Sequence, residues 1–248
     1  MILVRFLDEF GRYILLMKEA FRRPQNNKVF RKKLLFEMRV LGVESVPIVF
    51  VISVFIGAAV VIQMLINLDN PIYPSWIYGF ASRKSIVLEF SPTVIALILA
   101  GKCASRIASE IGTQKITEQI DALEVMGVNT PSYLILPKVI ACLIFFPLLT
   151  IISIFAGLVG GGLGSIMTGQ LSMFHYIEGL RLDFSSLDIS YALVKSLVFS
   201  IIVSTIASFR GYTLQGGSVE VGQESTKAVV QSSMIIMIFN LLITNLFN

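Results

Sequence analysis

Ser45-Val-Pro-Ile-Val-Phe-Val-Ile-Ser-Val-Phe-Ile-Gly-Ala-Ala-Val-Val-Ile-Gln-Met-Leu-Ile-Asn-Leu68 contains no Asp, Glu, Lys or Arg. At about 1.5 Å per helical residue it covers the roughly 30 Å hydrocarbon layer of a bilayer with a little to spare. The whole chain agrees with this stretch. Of its 248 residues, 55% are hydrophobic and 15% charged, with a mean hydropathy of +0.80, whereas soluble domains carry roughly 25% charged residues. Composition therefore excludes a disordered, collagenous or disulfide-rich secreted chain and implies an all-α integral membrane protein. Cys103 and Cys142 sit in apolar surroundings and read as small hydrophobes in helices. Arg5, Asp8 and Glu9 interrupt any apolar run of the length a cleavable signal needs, so the amino terminus is expected to stay on the protein.

Four more spans follow. The second lies at about 86–108 and contains Glu89, Lys102 and Arg106, so its ends must be lined by protein, wetted or snorkelling. Nothing between Lys138 and Glu178 is formally charged, which leaves two readings. A hairpin would turn in Gly157-Leu-Val-Gly-Gly-Gly-Leu-Gly164. The preferred reading is one long tilted span at about 138–166, in which glycines four residues apart let two helices approach closely. A fourth span at about 190–209 carries Lys195, and a fifth occupies about 228–247. With five spans and the amino terminus inside, sixteen of the twenty basic residues fall on the inner side. Arg83, Lys84 and Arg181 fall outside, and Lys195 lies within the membrane. The pI near 9.1 thus reflects topology and not a nucleic-acid partner.

Residues 1–42 form an amino-terminal amphipathic region preceding a transmembrane domain at 43–248. Leu3, Phe6, Leu7, Phe10, Ile14 and Met17 recur at helical spacing opposite Arg5, Asp8, Glu9 and Arg12, as in a helix lying in the membrane interface. A second basic stretch, Lys28 to Leu41, follows the break at Arg22 to Asn27 and suits anionic headgroups.

The loop between spans two and three contains a helix of its own at about 113–127. Ile116, Ile120 and Leu123 form an apolar stripe and Glu118, Asp121 and Glu124 a polar side; Gly127, Asn129 and Pro131 supply stop signals. Such a helix either lies on lipid or docks on a partner. Its acidic side matches anionic headgroups poorly and a basic groove on a protein well, which favours docking.

Catalytic chemistry is missing. The sequence contains no phosphate-binding Gly-x-x-x-x-Gly-Lys-Ser/Thr loop, one histidine (His175) excludes a multi-histidine metal site, and no serine has the context of a nucleophile elbow. The chain is expected to be no enzyme and to bind no metal or cofactor directly. Glu89, close to Pro92 near the outer end of span two, either faces the bundle interior with a donor or is solvated at headgroup level.

Glu110-Ile-Gly-Thr113, Thr117-Glu-Gln-Ile-Asp-Ala-Leu-Glu-Val-Met-Gly-Val128 and Tyr133-Leu-Ile-Leu-Pro-Lys-Val-Ile-Ala141 together resemble the central motif of MlaE/YrbE-type permeases, the membrane subunits of MCE-associated ABC phospholipid transporters. The resemblance extends through Val54-Phe-Ile-Gly-Ala58, Glu89-Phe-Ser-Pro92, Leu99-Ala-Gly101, Lys195-Ser-Leu-Val-Phe199, Phe209-Arg-Gly-Tyr212 and Val229-Val-Gln-Ser-Ser233, and so covers the chain from about residue 40 onward. It implies a homodimeric bacterial inner-membrane permease with a cytoplasmic amino terminus. A separate cytoplasmic ATPase would use ATP and Mg, and a membrane-anchored MCE-domain protein would receive or deliver phospholipid. It assigns ATPase coupling to Glu110, Thr113, Ile116, Glu118, Ile120, Asp121, Leu123, Glu124 and Gly127. It assigns a lipid path between the two copies to Glu89, Leu88 and Pro92 of span two and Phe55 and Ile62 of span one. Leu88 stands where such permeases often carry arginine. A competing reading is a stand-alone secondary transporter with Glu89 and Lys195 as its relay, although the internal repeats usual in such carriers are missing. A purely structural scaffold would leave the loop helix without a role.

Overall fold

The computed structural model describes residues 2–24, 26–67 and 74–247, and side chains from residue 7 to 246 within them. Leu3 and Phe6 of the expected amphipathic stripe, and Leu68 at the end of the first apolar run, lie outside those limits. Among the described residues five helices are long and apolar enough to cross a membrane: Asn27–Asn67, Trp76–Ile116, Thr130–Thr168, Ser186–Tyr212 and Ser218–Leu246.

Helix α1 (Ile2–Ala20) turns Leu7, Phe10 and Ile14 outward and buries Leu16, Met17 and Ala20 against the bundle. This is the arrangement of a helix with one face for lipid and one edge for protein. Asn26 caps α2 (Asn27–Glu37), its Oδ1 accepting from the backbone N–H groups of Lys28 and Val29 at 3.0 and 3.3 Å. The chain does not leave helical geometry at residue 42. It passes from α2 through a π turn (Met38–Gly42) and a 3-10 turn (Val43–Ser45) into α3 (Val46–Asn67), making one 41-residue element. At Gly42 a Cβ would land on the ring of Phe145, so the absence of a side chain lets span three pack on the turn.

The second span is likewise longer than its apolar centre. Helix α4 (Trp76–Ser85), a π segment (Ile86–Val94), α5 (Ile95–Leu99), a second π turn (Ala100–Ala104) and α6 (Ser105–Ile116) run on without a break. Pro92 lies inside the first π segment. Lacking an N–H, it cannot complete the ordinary helical bond to the carbonyl of Leu88. Two of the charged residues in this span have partners within the chain, Glu89 pairing with Lys195 and Lys102 donating to the carbonyl of Glu44, while Arg106 is exposed.

After the short α7 (Gln119–Val125), α8 (Thr130–Thr168) is one 39-residue helix, so the glycines do not form a hairpin. They serve a helix crossing. A Cβ on Gly57 of α3 would meet the carbonyl of Gly157, and one on Gly160 would meet the carbonyl of Val54. Beside them the hydroxyls of Ser53 and Ser153 join at 2.9 Å. Close backbone approach with a polar rivet is what holds helices together where lipid removes the hydrophobic drive. Helix α9 (Met173–Arg181) lies against α4 at the end of the bundle away from α1, anchored by buried Tyr176, whose hydroxyl donates to the Leu158 carbonyl at 2.8 Å. Helices α10 (Ser186–Tyr212) and α11 (Ser218–Phe247) pack on each other and on α6.

The principal core joins Ile95, Leu99, Ile107 and Ile111 of the second span to Leu134, Ile135, Phe146 and Leu149 of α8 and Phe199 and Val203 of α10. Helix α11 contributes only Ala228 and Ile236 to its buried residues. Met234, Met237, Ile238, Leu241, Leu242 and Leu246 all face out of the bundle.

Candidate functional site

Two constellations carry the polar chemistry. The first is the turn between spans two and three, at the same end of the bundle as α1. The single helix expected over 113–127 is divided in two. Thr117 ends α6, its hydroxyl donating back to the Thr113 carbonyl at 2.8 Å, and Glu118 takes a left-handed backbone with φ of 58° before α7 begins. A threonine hydroxyl competing for backbone groups is a local reason for a helix to stop. Lys115 and Asp121 bridge the break at 2.6 Å. Ile120 is fully buried, while Ile116 and Leu123 are half-buried, so the apolar stripe faces the bundle. Gly127, at φ 76°, reverses the chain, and Asn129 caps α8 by accepting from the Ser132 N–H at 3.1 Å.

The acidic residues of this turn do not act alike. Glu110 points inward to Lys138 at 2.8 Å. Glu124 accepts from the hydroxyls of Thr130 and Tyr212, each at 2.9 Å, and so ties α7 to α8 and α10. Asp121 is held by Lys115. Thr113 and Glu118 are exposed, and the part of the turn that projects furthest is apolar: Val125 is 90% and Met126 69% exposed.

The second constellation lies within the spans, between the 86–94 segment, α10 and α11. Lys195 is fully buried and donates to Glu89 Oε1 at 2.7 Å, to Thr244 Oγ1 at 2.9 Å and to the Leu88 carbonyl at 3.3 Å. Pro92 has no N–H to offer that carbonyl, and the Lys195 ammonium supplies a donor to it. Asn240 completes the knot: its Nδ2 donates to Glu89 Oε2 at 3.1 Å, and its Oδ1 accepts from Thr93 at 2.8 Å. Tyr191 donates to Thr244 at 3.1 Å and places its ring 4.7 Å from the Lys195 ammonium. Glu89 is nevertheless 40% exposed. The carboxylate therefore faces both a buried cation and the outside of the single chain, which resolves the choice between an interior and a merely solvated residue.

A family model described as "Permease MlaE" matches residues 34–246. The chain belongs to this permease family. A "Probable ABC transporter permease protein" of Rickettsia bellii is 33% identical over 98% of this chain and 94% of its own length. The "Intermembrane phospholipid transport system permease protein MlaE" of Haemophilus influenzae is 30% identical over 97% and 92%. The chloroplastic protein "TRIGALACTOSYLDIACYLGLYCEROL 1" of Arabidopsis thaliana is 30% identical over 91% of this chain and 64% of its own length. The chain is accordingly a multi-pass membrane subunit for transport, not a catalytic enzyme.

Within this MlaE-family chain the expected site residues sort unequally. Glu89, Leu88 and Pro92 meet at one knot, and Leu88 contributes a backbone carbonyl to it. Phe55, which is exposed, and Ile62, which is half-buried, lie on α3, a helix that packs on α8 and α4. Asn240, Thr244, Thr93 and Tyr191 were not anticipated. Their signal in the sequence is spacing: Glu89 with Thr93 and Asn240 with Thr244 are polar pairs four residues apart in apolar spans, which places each pair on one helix face.

Proposed function

We propose that this chain is the permease subunit of an ABC transporter moving phospholipid between a bacterial inner membrane and a periplasmic MCE-domain partner. Two copies form the core, the amino terminus is cytoplasmic, and a separate ATPase supplies the energy from ATP and Mg. The observation that carries the reading is the α6–α7 turn. It is braced by buried Ile120 and by the bonds of Asp121 and Glu124 to its neighbours, and it presents Glu118, Val125 and Met126 outward as a compact docking surface. A rigid, partly apolar projection suits a partner that must push on it. The outward apolar face of α11 and the half-open Glu89 knot beside it suit a lipid path completed by a second copy.

Co-purification tests this. The native chain should bring with it an ATPase, an MCE-domain protein and bound phospholipid. V125D/M126D should release the ATPase while leaving thermal stability unchanged, because both side chains are largely exposed. Full retention of the ATPase by that variant overturns the assignment of the docking surface. The Glu89–Lys195 pair favours a second reading, a carrier that works alone; lipid movement by the purified chain in vesicles under an ion gradient, without nucleotide, would establish it.

A further inference from the structure

Lys138 lies on α8, two turns past its start, with its side chain fully buried. Its ammonium meets the carboxylate of Glu37, the last residue of α2, and Glu110 Oε2, on α6, at 2.8 Å. One cation therefore joins three elements that are far apart in sequence. The arms are unequal: Glu37 is fully buried, with its second oxygen lacking a hydrogen-bond partner, while Glu110 is partly exposed. One turn before Glu37, Lys33 lies 4.1 Å above the ring of Tyr133, also on α8, which gives α2 a second grip on the same helix.

We infer that Lys138 is a positioning residue, a buried clamp through which displacement of the α6–α7 turn is passed to α2 and, through the continuous helix, to span one. The inference rests on the proposed function above, in which a partner acts on that turn. Three features support it. The first is that α7 is tied to its neighbours: Ile120 is fully buried, Lys115–Asp121 links it to α6, and Glu124 links it to the start of α8. A push on Val125 and Met126 therefore enters α6 and α8, two of the three helices that Lys138 joins. The second is what lies next to the clamp on the membrane side. The π turn 38–42 faces the π turn 100–104, with the Cys103 thiol 3.8 Å from the Leu41 carbonyl and Lys102 gripping the carbonyl of Glu44. Such turns depart from the regular bonding ladder and recur at functional sites in helices. A stiff junction thus stands beside two irregular ones, as in a lever beside its hinge. The third is that fold stability alone does not account for a buried ionic junction, since well-packed apolar side chains of similar volume often serve stability equally well. What ion pairs add is fixed register between the helices they join.

The test uses the full complex with its ATPase, reconstituted in phospholipid vesicles, measuring ATP hydrolysis and lipid transfer together. In E37L/K138M both buried charges are replaced by apolar groups and Glu110 is left to hydrate. This variant should assemble with the ATPase and hydrolyse ATP, yet move roughly tenfold less lipid per ATP, the size of an ordinary coupling energy between sites. K138R keeps a positive charge between the two carboxylates and should keep the ratio nearer to native than E37L/K138M does. If E37L/K138M fails to assemble, E110Q provides the reading, because it frees only the partly exposed arm; it should lower the same ratio with the complex intact. Native transfer per ATP in whichever of E37L/K138M and E110Q assembles overturns the clamp. ATP-driven transfer missing from the native complex refutes the proposed function and takes the clamp with it, whereas native transfer that survives these substitutions refutes the clamp alone.

Discussion

Removing one partner from the Glu89–Lys195 pair should be more costly from one side than from the other, and the structure gives the sign. In E89Q the Lys195 ammonium keeps its bonds to Thr244 and the Leu88 carbonyl but loses its counter-ion, and the side chain is fully buried with no route to water. An uncompensated buried charge of this kind costs about 3–5 kcal/mol. In K195M the group left behind is Glu89, which is 40% exposed and still accepts from Asn240 at 3.1 Å. That amide and the Thr244 hydroxyl, which donates to Oε1 at 3.1 Å, still compensate part of its charge. The remaining loss is chiefly the bonds the ammonium makes to Thr244 and to the Leu88 carbonyl, at about 1–3 kcal/mol. The gap of roughly 2 kcal/mol corresponds to roughly 4–8 °C in the melting temperature of a chain this size. Thermal unfolding of the purified protein in lipid nanodiscs, followed by intrinsic fluorescence, measures both variants. The double variant E89Q/K195M should melt close to K195M alone, since the ammonium that E89Q strands is no longer there. A K195M protein that melts at or below E89Q would refute the argument that the depth of the orphaned charge decides the cost.

Two further expectations concern packing. G160L should destabilise the α3–α8 crossing by roughly 1–3 kcal/mol or more, because the new side chain meets the Val54 backbone, which cannot yield; G101L, where nothing lies within 4 Å of the added carbon, should be nearly neutral in the same melt. Y176F should cost about 1 kcal/mol by losing the bond to Leu158. Burial holds the Tyr176 phenol above its ordinary value of 10.0. The neutral form is therefore the folded one, so its stabilising contribution is complete below pH 10 and is lost as pH rises towards the folded value. The gap between native and Y176F melts should narrow in strong alkali, and a constant gap would contradict this.

The parts of this architecture set by hydropathy were legible in the sequence, and the parts set by pairing were not. Five predominantly apolar runs are visible because lipid tolerates few alternatives. The loop helix was visible from its period, but its division at Thr117 and Glu118 depends on one hydroxyl-to-carbonyl bond that no pattern announces. The basic stretch at 28–41 read as a separate interfacial helix because its charges differ so sharply from those of the run after it. Backbone geometry ignores that change of composition, and the helix continues through residue 42. Lys138 and Glu110 read respectively as a topology marker and a docking residue. Their mutual contact, with Glu37 about a hundred residues away, needs the tertiary fold to exist before it can be seen. The same holds for Glu89 and Lys195, separated by 106 positions.

The crossing of α3 and α8 has a consequence for how the protein is made. The two hydroxyls that rivet it are 100 residues apart in the chain, with the whole second span emerging between them. At synthesis rates of about 5–20 residues per second, that interval lasts roughly 5–20 s. Throughout it, the bare face around Gly57 and Ser53 has no finished partner, while the second span has already entered the membrane. The face of the first span that the third will cover therefore stays open while the second span, which meets the first through contacts of its own, is already in place.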